Sequence, residues 1–331
     1  MRNPTLHDVA RAAGVSYATA DRVLNQRGGV ADKSVQRVQR AIEDLGYRRD
    51  IRAANLSRQR SYRLVAYLPP GDHGFFSRLR QALQAEANLR AGERLVLDLR
   101  DLPSDVAAQG QADPECDGII LVGAQSDGIG AMMDRLSDRG VPVVTLVSDM
   151  PGRRAYVGID NRVAGRTAAR LLRIAHRGQP GRVLPLVGSL ALQDHRDRLA
   201  GAAEVLKGHL DLLPPVEVRD RPDRMRDAVA RALSDDPAIT GVYSIGAGNR
   251  GLFAVMADLT RRPFVVVHEL TPQARAALQD DLIDVVIDQK PAEEAARALD
   301  TLRAIADGED AVPATITPAI FFKDNLPEDT A

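Results

Sequence analysis

An α/β protein with an all-helical head is what the sequence predicts, and three observations predict it. The 331 residues are 44% hydrophobic and 27% charged, enough apolar material for two domains and a small appendage. Cut after Arg60, the chain separates into a head with 12 Lys+Arg against 6 Asp+Glu and a body of 271 residues with 32 against 39. A net charge of −1 thus conceals +6 beside −7. From Arg63 onward, short β-branched runs alternate with amphipathic stretches, the pattern of doubly wound parallel sheets covered by helices on both faces. Other classes are excluded by the same numbers. Cys116 is the single cysteine, so no disulfide closes within one chain and no Cys/His spacing fits a metal. No apolar run nears the ~18 residues of a membrane span, and MRNPTLHDVA lacks the apolar core and cleavage site of a signal peptide. The expectation is a cytoplasmic chain with no cofactor, no metal and no membrane partner.

In the head, TLHDVARAAG places Leu6, Val9, Ala10 and Ala13 on one helical face behind the cap-type residue Thr5, and Gly14 ends the run. Ser16 then caps YATADRVLN, whose Ala20, Val23 and Leu24 pack against the first helix. Two short helices joined by a Gly-containing turn form a helix-turn-helix, which offers the second helix's first turn to a DNA major groove. A third helix starts near Asp32, with Val35, Val38, Ile42 and Leu45 facing the other two. The excess positive charge fits a polyanion partner, since each cation placed on a phosphate releases counterions.

These segments, TLHDVARAAGVSYATADRVLN and VADKSVQRVQRAIEDLGYRRDIRAANLSRQRSY, resemble the DNA-binding head of the lactose-repressor (LacI/GalR) family. The resemblance implies that Tyr17 and Ala18 read base edges with Arg22 a turn further on. Arg22 can fork onto guanine O6 and N7, whereas Ala18 offers only a methyl. Asp21 departs from the small hydroxyl residue often found there. Ser16, Thr19 and Asn25 are candidates for phosphate contacts, Asn25 equally for a helix C-cap, and Thr5 joins the DNA-binding set. Residues 47–60 carry five arginines and a helical pattern too short to hold alone in water. By resemblance they form a hinge helix that pairs with its dimer mate and drives Leu56 between base steps; by composition alone they are a linker.

In the body, strands are expected in RLVAYLP, RLVLDL, DGIILVG, VPVVTLV, GRVLPLVG, GVYSIG, FVVVHE and IDVVI. Helices are expected over 75–88, 160–175, 197–208, 224–236, 249–259 and 291–308. Ligands of open α/β sheets bind beyond the carboxyl ends of strands, where this chain is polar or aromatic: GDHGFF, SDMPG, GSLALQDHRDR, GAGNRG, HELT and DQKP. The body resembles the ligand domain of the same family and periplasmic sugar-binding proteins over about residues 62–325. The implied organisation is a head over 1–48, a hinge over 49–61 and a two-lobed effector and dimerisation domain over 62–331. One lobe takes 62–158 with 290–316, the other 159–289 with the last strand. The effector-site residues carried over are His73, Phe75, Phe76, Ser148, Asp149, Arg196, Arg198, Asn249, Glu269 and Gln289, with most weight on Phe76, Arg196, Glu269 and Gln289. Phe76 also fits an ordinary core position, and Arg196 or Arg198 also fits a surface pair with Asp194 or Asp197. His195 and His268 read as structural. Val147 and Ser148 stand where many relatives carry Asp or Arg.

The expected function is a repressor-type regulator, not an enzyme. A homodimer grips a pseudo-palindromic double-stranded operator, and a small polar metabolite, a sugar or sugar derivative, controls its affinity. NLPEDTA has no leucine heptads for a four-chain bundle. A rival reading comes from Gly246, Gly248 and Gly251, a G-x-G-x-x-G between a strand and a helix with Glu269 about twenty residues on. That is the pattern of a dinucleotide site, in a redox-sensing regulator or an NAD-dependent oxidoreductase. No nucleophile elbow, H-E-x-x-H or P-loop is present.

Overall fold

The computed structural model describes residues 4–24, 29–46, 61–71, 74–103, 115–310 and 314–328. Asn25, Leu56, His73 and the hinge segment 49–60 lie outside the described residues. The chain divides into two compact units, Met1–Arg60 and Ser61–Ala331.

The first unit holds α1 (Leu6–Ala13), α2 (Tyr17–Leu24) and α3 (Asp32–Leu45). Thr5 opens α1 with a capping box: its side chain accepts from the Asp8 N–H, and the Asp8 carboxylate accepts from the Thr5 N–H at 2.9 Å. Gly14 closes α1 at φ 62°, a left-handed conformation that suits a residue without Cβ. Val9, Ala13, Val38 and Ala41 form the core, with Leu6, Val15, Val23 and Ile42 around it.

The second unit carries two parallel sheets. Its elements run β1 (Tyr62–Leu68), α4 (Gly74–Leu89), β2 (Leu95–Asp101), β3 (Gly118–Leu121), α5 (Asp127–Asp138), β4 (Val143–Leu146), β5 (Ala155–Ile159) and α6 (Asn161–His176). There follow β6 (Arg182–Val187), α7 (Gln193–Leu206), β7 (Asp211–Leu212), β8 (Val216–Glu217), α8 (Pro222–Asp235), β9 (Ile239–Ser244) and α9 (Asn249–Ala257). The chain ends with β10 (Phe264–His268), α10 (Pro272–Gln279), β11 (Val285–Asp288), α11 (Pro291–Ala306), β12 (Ala314–Ile316) and β13 (Ala319–Phe321). The first sheet has the order β12-β5-β4-β3-β1-β2, and the second β13-β11-β10-β9-β6-β7 with β8 on β6. Among the described strands, β13 alone is antiparallel. The chain passes between sheets after β5, after β11 and after β12.

Each central strand is buried on both faces and divides its side chains by the period of two. Leu64, Ala66 and Leu68 of β1 enter one core cluster while Val65 and Tyr67 enter another. Val266 of β10 likewise opposes Val265 and Val267. The eight strands expected from sequence all form. Two helices escaped the pattern: α5, where Gly128 and Gly130 dilute an i, i+3, i+4, i+7 face of Ile129, Met132, Met133 and Leu136, and the eight-residue α10. Short β5, AYVGI, was missed because Gly158 breaks its β-branched run.

Candidate functional site

On the first unit, Ser16 accepts the Thr19 N–H at 3.2 Å and meets the Thr19 hydroxyl at 2.9 Å, so both hydroxyls serve the first turn of α2. The helix leaves Tyr17, Ala18 and, a turn further on, Arg22 exposed, while Ala20 is fully buried. The Tyr17 ring stacks on His7 of α1, centroids 4.4 Å apart. A planar aromatic, a methyl and a guanidinium thus share one solvent-facing side of the second helix. Thr5 is committed to its cap.

In the second unit, the carboxyl ends of both sheets border a cavity of about 1070 Å³. Phe75, Phe76, Ser148, Arg198, Asn249, Glu269 and Gln289 all line it, together with Arg78, Asp194, His195, Asp220 and His268. Arg196 and Asp149 do not. The Arg196 guanidinium is exposed and spends itself on the Leu190 carbonyl and Gln193 Oε1, because position 196 lies on the outer face of α7. Two residues further, Arg198 falls on the buried face. Asp149 pairs with Arg153 on the surface side.

Arg198 is 3% exposed. Its Nε donates to Asn161 Oδ1 at 2.8 Å and its Nη1 to the Ile245 carbonyl at 3.1 Å, while Nη2 has no partner. α6 and α7 cross so closely that a Cβ on Gly165 would lie 1.9 Å from the Arg198 carbonyl oxygen, and one on Gly201 2.1 Å from that of Arg162. This approach is what lets Asn161, opening α6, hold the Arg198 side chain.

The loops after the strands are strained where they present polar groups. Val147 has φ 70°, rare for a β-branched residue, and the Ser148 N–H donates back to the Leu146 carbonyl at 2.8 Å in a tight turn. That turn directs Ser148 Oγ to Asp194 Oδ1 at 3.1 Å. Glu269 has φ 72°. Gln289 Nε2 donates to its Oε1 at 2.6 Å, leaving Glu269 Oε2 and Gln289 Oε1 buried without partners. Burial, then the neighbouring Asp288 carboxylate, pushes the Glu269 carboxyl up to about 8. His268 Nε2 meets the Tyr243 hydroxyl at 2.9 Å while Nδ1 is unpartnered, and burial holds both His268 and His195 below the ordinary imidazole value. Sequence reasoning discounted both histidines and missed Asp194, Asp220 and Asn161. Only Asn161, just after the helix-capping Asp160, carried a local signal.

The dinucleotide reading fails at the glycine loop. Asp220 Oδ1 accepts the Ala247 N–H at 2.7 Å, and its carboxylate fills the space beside Gly188 and Gly246, where an added Cβ would meet it at 2.2 and 2.7 Å. An anion already occupies the place where a pyrophosphate would need amide donors.

Known proteins share the two-part organisation of head and body. A family model described as "Bacterial regulatory proteins, lacI family" matches residues 5–50, and one described as "Periplasmic binding protein domain" matches residues 65–310. The ribose operon repressor of Bacillus subtilis (strain 168) is 32% identical over 262 residues, 78% of this chain and 77% of its own length. The HTH-type transcriptional regulator DegA of the same organism is 23% identical over 61% of this chain and 60% of its own length. Among solved structures, GanP, a glucose-galactose binding protein from Geobacillus stearothermophilus, superposes with a TM-score of 0.71 at 21% identity, covering 81% of this chain and 99% of that one. This last likeness concerns the fold. The family models over head and body, and a relative 32% identical over 78% of the chain, lead to one conclusion: the chain belongs to the lacI family of bacterial regulatory proteins.

Proposed function

We propose that the protein is a cytoplasmic transcription regulator, a repressor, whose homodimer binds a pseudo-palindromic operator and whose affinity is set by a sugar or sugar derivative in the cavity of the second unit. One observation carries the effector reading. Four buried polar atoms on the cavity wall, Arg198 Nη2, His268 Nδ1, Glu269 Oε2 and Gln289 Oε1, lack partners. Such groups are costly when left unmade, and a ligand rich in hydroxyls, each both donor and acceptor, is the class suited to partner them as the lobes adjust around it. Phe75 and Phe76, rings edge-on at 5.4 Å, supply the apolar wall for a sugar's C–H face. The relatives and neighbours point to the same class: repressors of ribose and sucrose operons, and binding proteins for glucose-galactose and D-arabinose. Tyr17, Ala18 and Arg22 are the proposed base readers, with Ser16, Thr19 and Asn25 at phosphates. Leu56 in hinge 49–61 is the proposed wedge at the operator centre. Ligand closure of the lobes then changes the populations of DNA-competent and DNA-free dimers, by no more than its differential affinity for the two.

A thermal-shift screen against pentoses, hexoses, polyols and nucleosides is the test. A true effector at 100 times its Kd stabilises the chain by ~2.7 kcal/mol, and Gln289→Ala weakens its response. Stabilisation by NAD with no response to any sugar would overturn the reading.

A further inference from the structure

The two lobes of the second unit touch beside the cavity at points far apart in sequence. Ser148, after β4, donates to Asp194 of α7 at 3.1 Å. A Cβ on Gly74, which opens α4, would lie 3.6 Å from Thr271 Cγ2, after β10. Arg78, a turn further into α4, reaches across as well: its Nη1 donates to Asp288 Oδ2 at 3.3 Å. α4 packs on β2 and α11 of the first lobe, whereas Asp288 ends β11 in the second sheet. This ion pair therefore joins the lobes through a side chain that also borders the cavity.

Asp288 is 4% exposed and lies outside the cavity lining. Its carboxylate instead serves the loops that form the wall. Oδ2, besides Arg78, accepts the Leu270 N–H at 2.8 Å, and Oδ1 accepts the Lys290 N–H at 2.7 Å. These amides directly follow Glu269 and Gln289, which line the cavity and bond each other at 2.6 Å. Glu269 and Lys290 sit at φ 72° and 62°, the left-handed region that costs a residue with a Cβ. Such conformations persist only where surrounding bonds over-determine them. One buried carboxylate holds both turns, and so sets the aim of two wall side chains.

We propose that Asp288 is a positioning residue of the effector site, and that Arg78, reaching it from the other lobe, couples closure of the cleft to the aim of Glu269 and Gln289. The inference rests on the effector reading in taking those two side chains as ligand contacts. Arg78 adds a charged donor to an acceptor that already serves two amides, and bonds between charged partners are roughly twice as strong as neutral ones. Parting the lobes withdraws α4 and its guanidinium from Oδ2. The carboxylate is then held by the two amides alone, and the strained turns at 269 and 290 open more often. A ligand that favours the closed lobes brings Arg78 back and steadies the wall that grips it, so binding and closure support each other.

The experiment follows amide hydrogen exchange of the full chain without ligand, resolved to single amides, in the wild type, R78M and D288N. R100M is the control, since Arg100 pairs with Asp98 on the exposed edge strand β2. Arg78 bonds neither Leu270 nor Lys290, yet in R78M both amides exchange about tenfold faster. D288N, which replaces one acceptor oxygen with a donor, speeds them at least as much. Amides of β1 and β9 keep wild-type rates in R78M, which separates positioning from a general loss of stability. Wild-type exchange at 270 and 290 in R78M, an equal change in R100M, or a change spread over β1 and β9 overturns the coupling. Full protection of both amides in D288N overturns the positioning role; should D288N not fold, R78M decides alone. Failure of the effector reading shows separately, as a compound screen without hits.

Discussion

Arg196 and Arg198 stand two positions apart on α7 and have opposite fates, because a helix turns each residue by about 100°. The outer one bonds its own loop, whereas the inner one is locked by Asn161 and the Ile245 carbonyl with one buried nitrogen left without a partner. Arg198→Ala should therefore abolish the effector response and cost ~1–3 kcal/mol of stability, since two buried acceptors lose their donor. Arg196→Ala should stay within ~0.5 kcal/mol and keep the response. Denaturant melts, with and without the best compound from the screen, measure both. Equal effects of the two substitutions would contradict the role given to the unpartnered Arg198 nitrogen.

At the scale of elements, the contact of α6 with α7 decides whether that arginine can work. Gly165 and Gly201 bring the two backbones together without side chains between them, and a methyl at Gly165 would need the Arg198 carbonyl to move. Gly165→Ala is expected to destabilise the chain by ~1–3 kcal/mol through overpacking and to weaken effector binding by shifting Asn161 away from Arg198. Calorimetry reads the second effect. Unchanged affinity in a folded Gly165→Ala variant would show that the helix crossing does not govern the site. The second helix of the head follows the opposite logic: its buried residue is small, Ala20, and its first two turns carry the exposed Tyr17, Ala18 and Arg22.

For the whole molecule, a homodimeric regulator reads the same sequence twice with opposite polarity. In vitro selection from random duplexes with the full chain should recover an inverted repeat. Arg22→Ala should relax one base pair in each half, at ~1–3 kcal/mol per contact. Recovery of a single unrepeated half-site would argue for a monomer on DNA.

Local signals made the head and strands legible in sequence. Thr5, Gly14 and Ser16 act within four residues of themselves, and a strand buried on both faces announces itself as a β-branched run such as FVVVH. The chain's membership of its family rested on the same continuous segments. The site was legible as loops, not as side chains: seven of ten effector candidates line the cavity, and the motif alone could not tell Arg198 from Arg196. What the tertiary structure alone decided were relations between residues far apart in the chain. Asp220 closes the glycine loop at 247, Asn161 orients Arg198, and Gln289 reaches Glu269 from the next strand's end. Burial and charge pairing depend on which surfaces are brought together, and three crossings between two sheets set that without a trace in any local pattern.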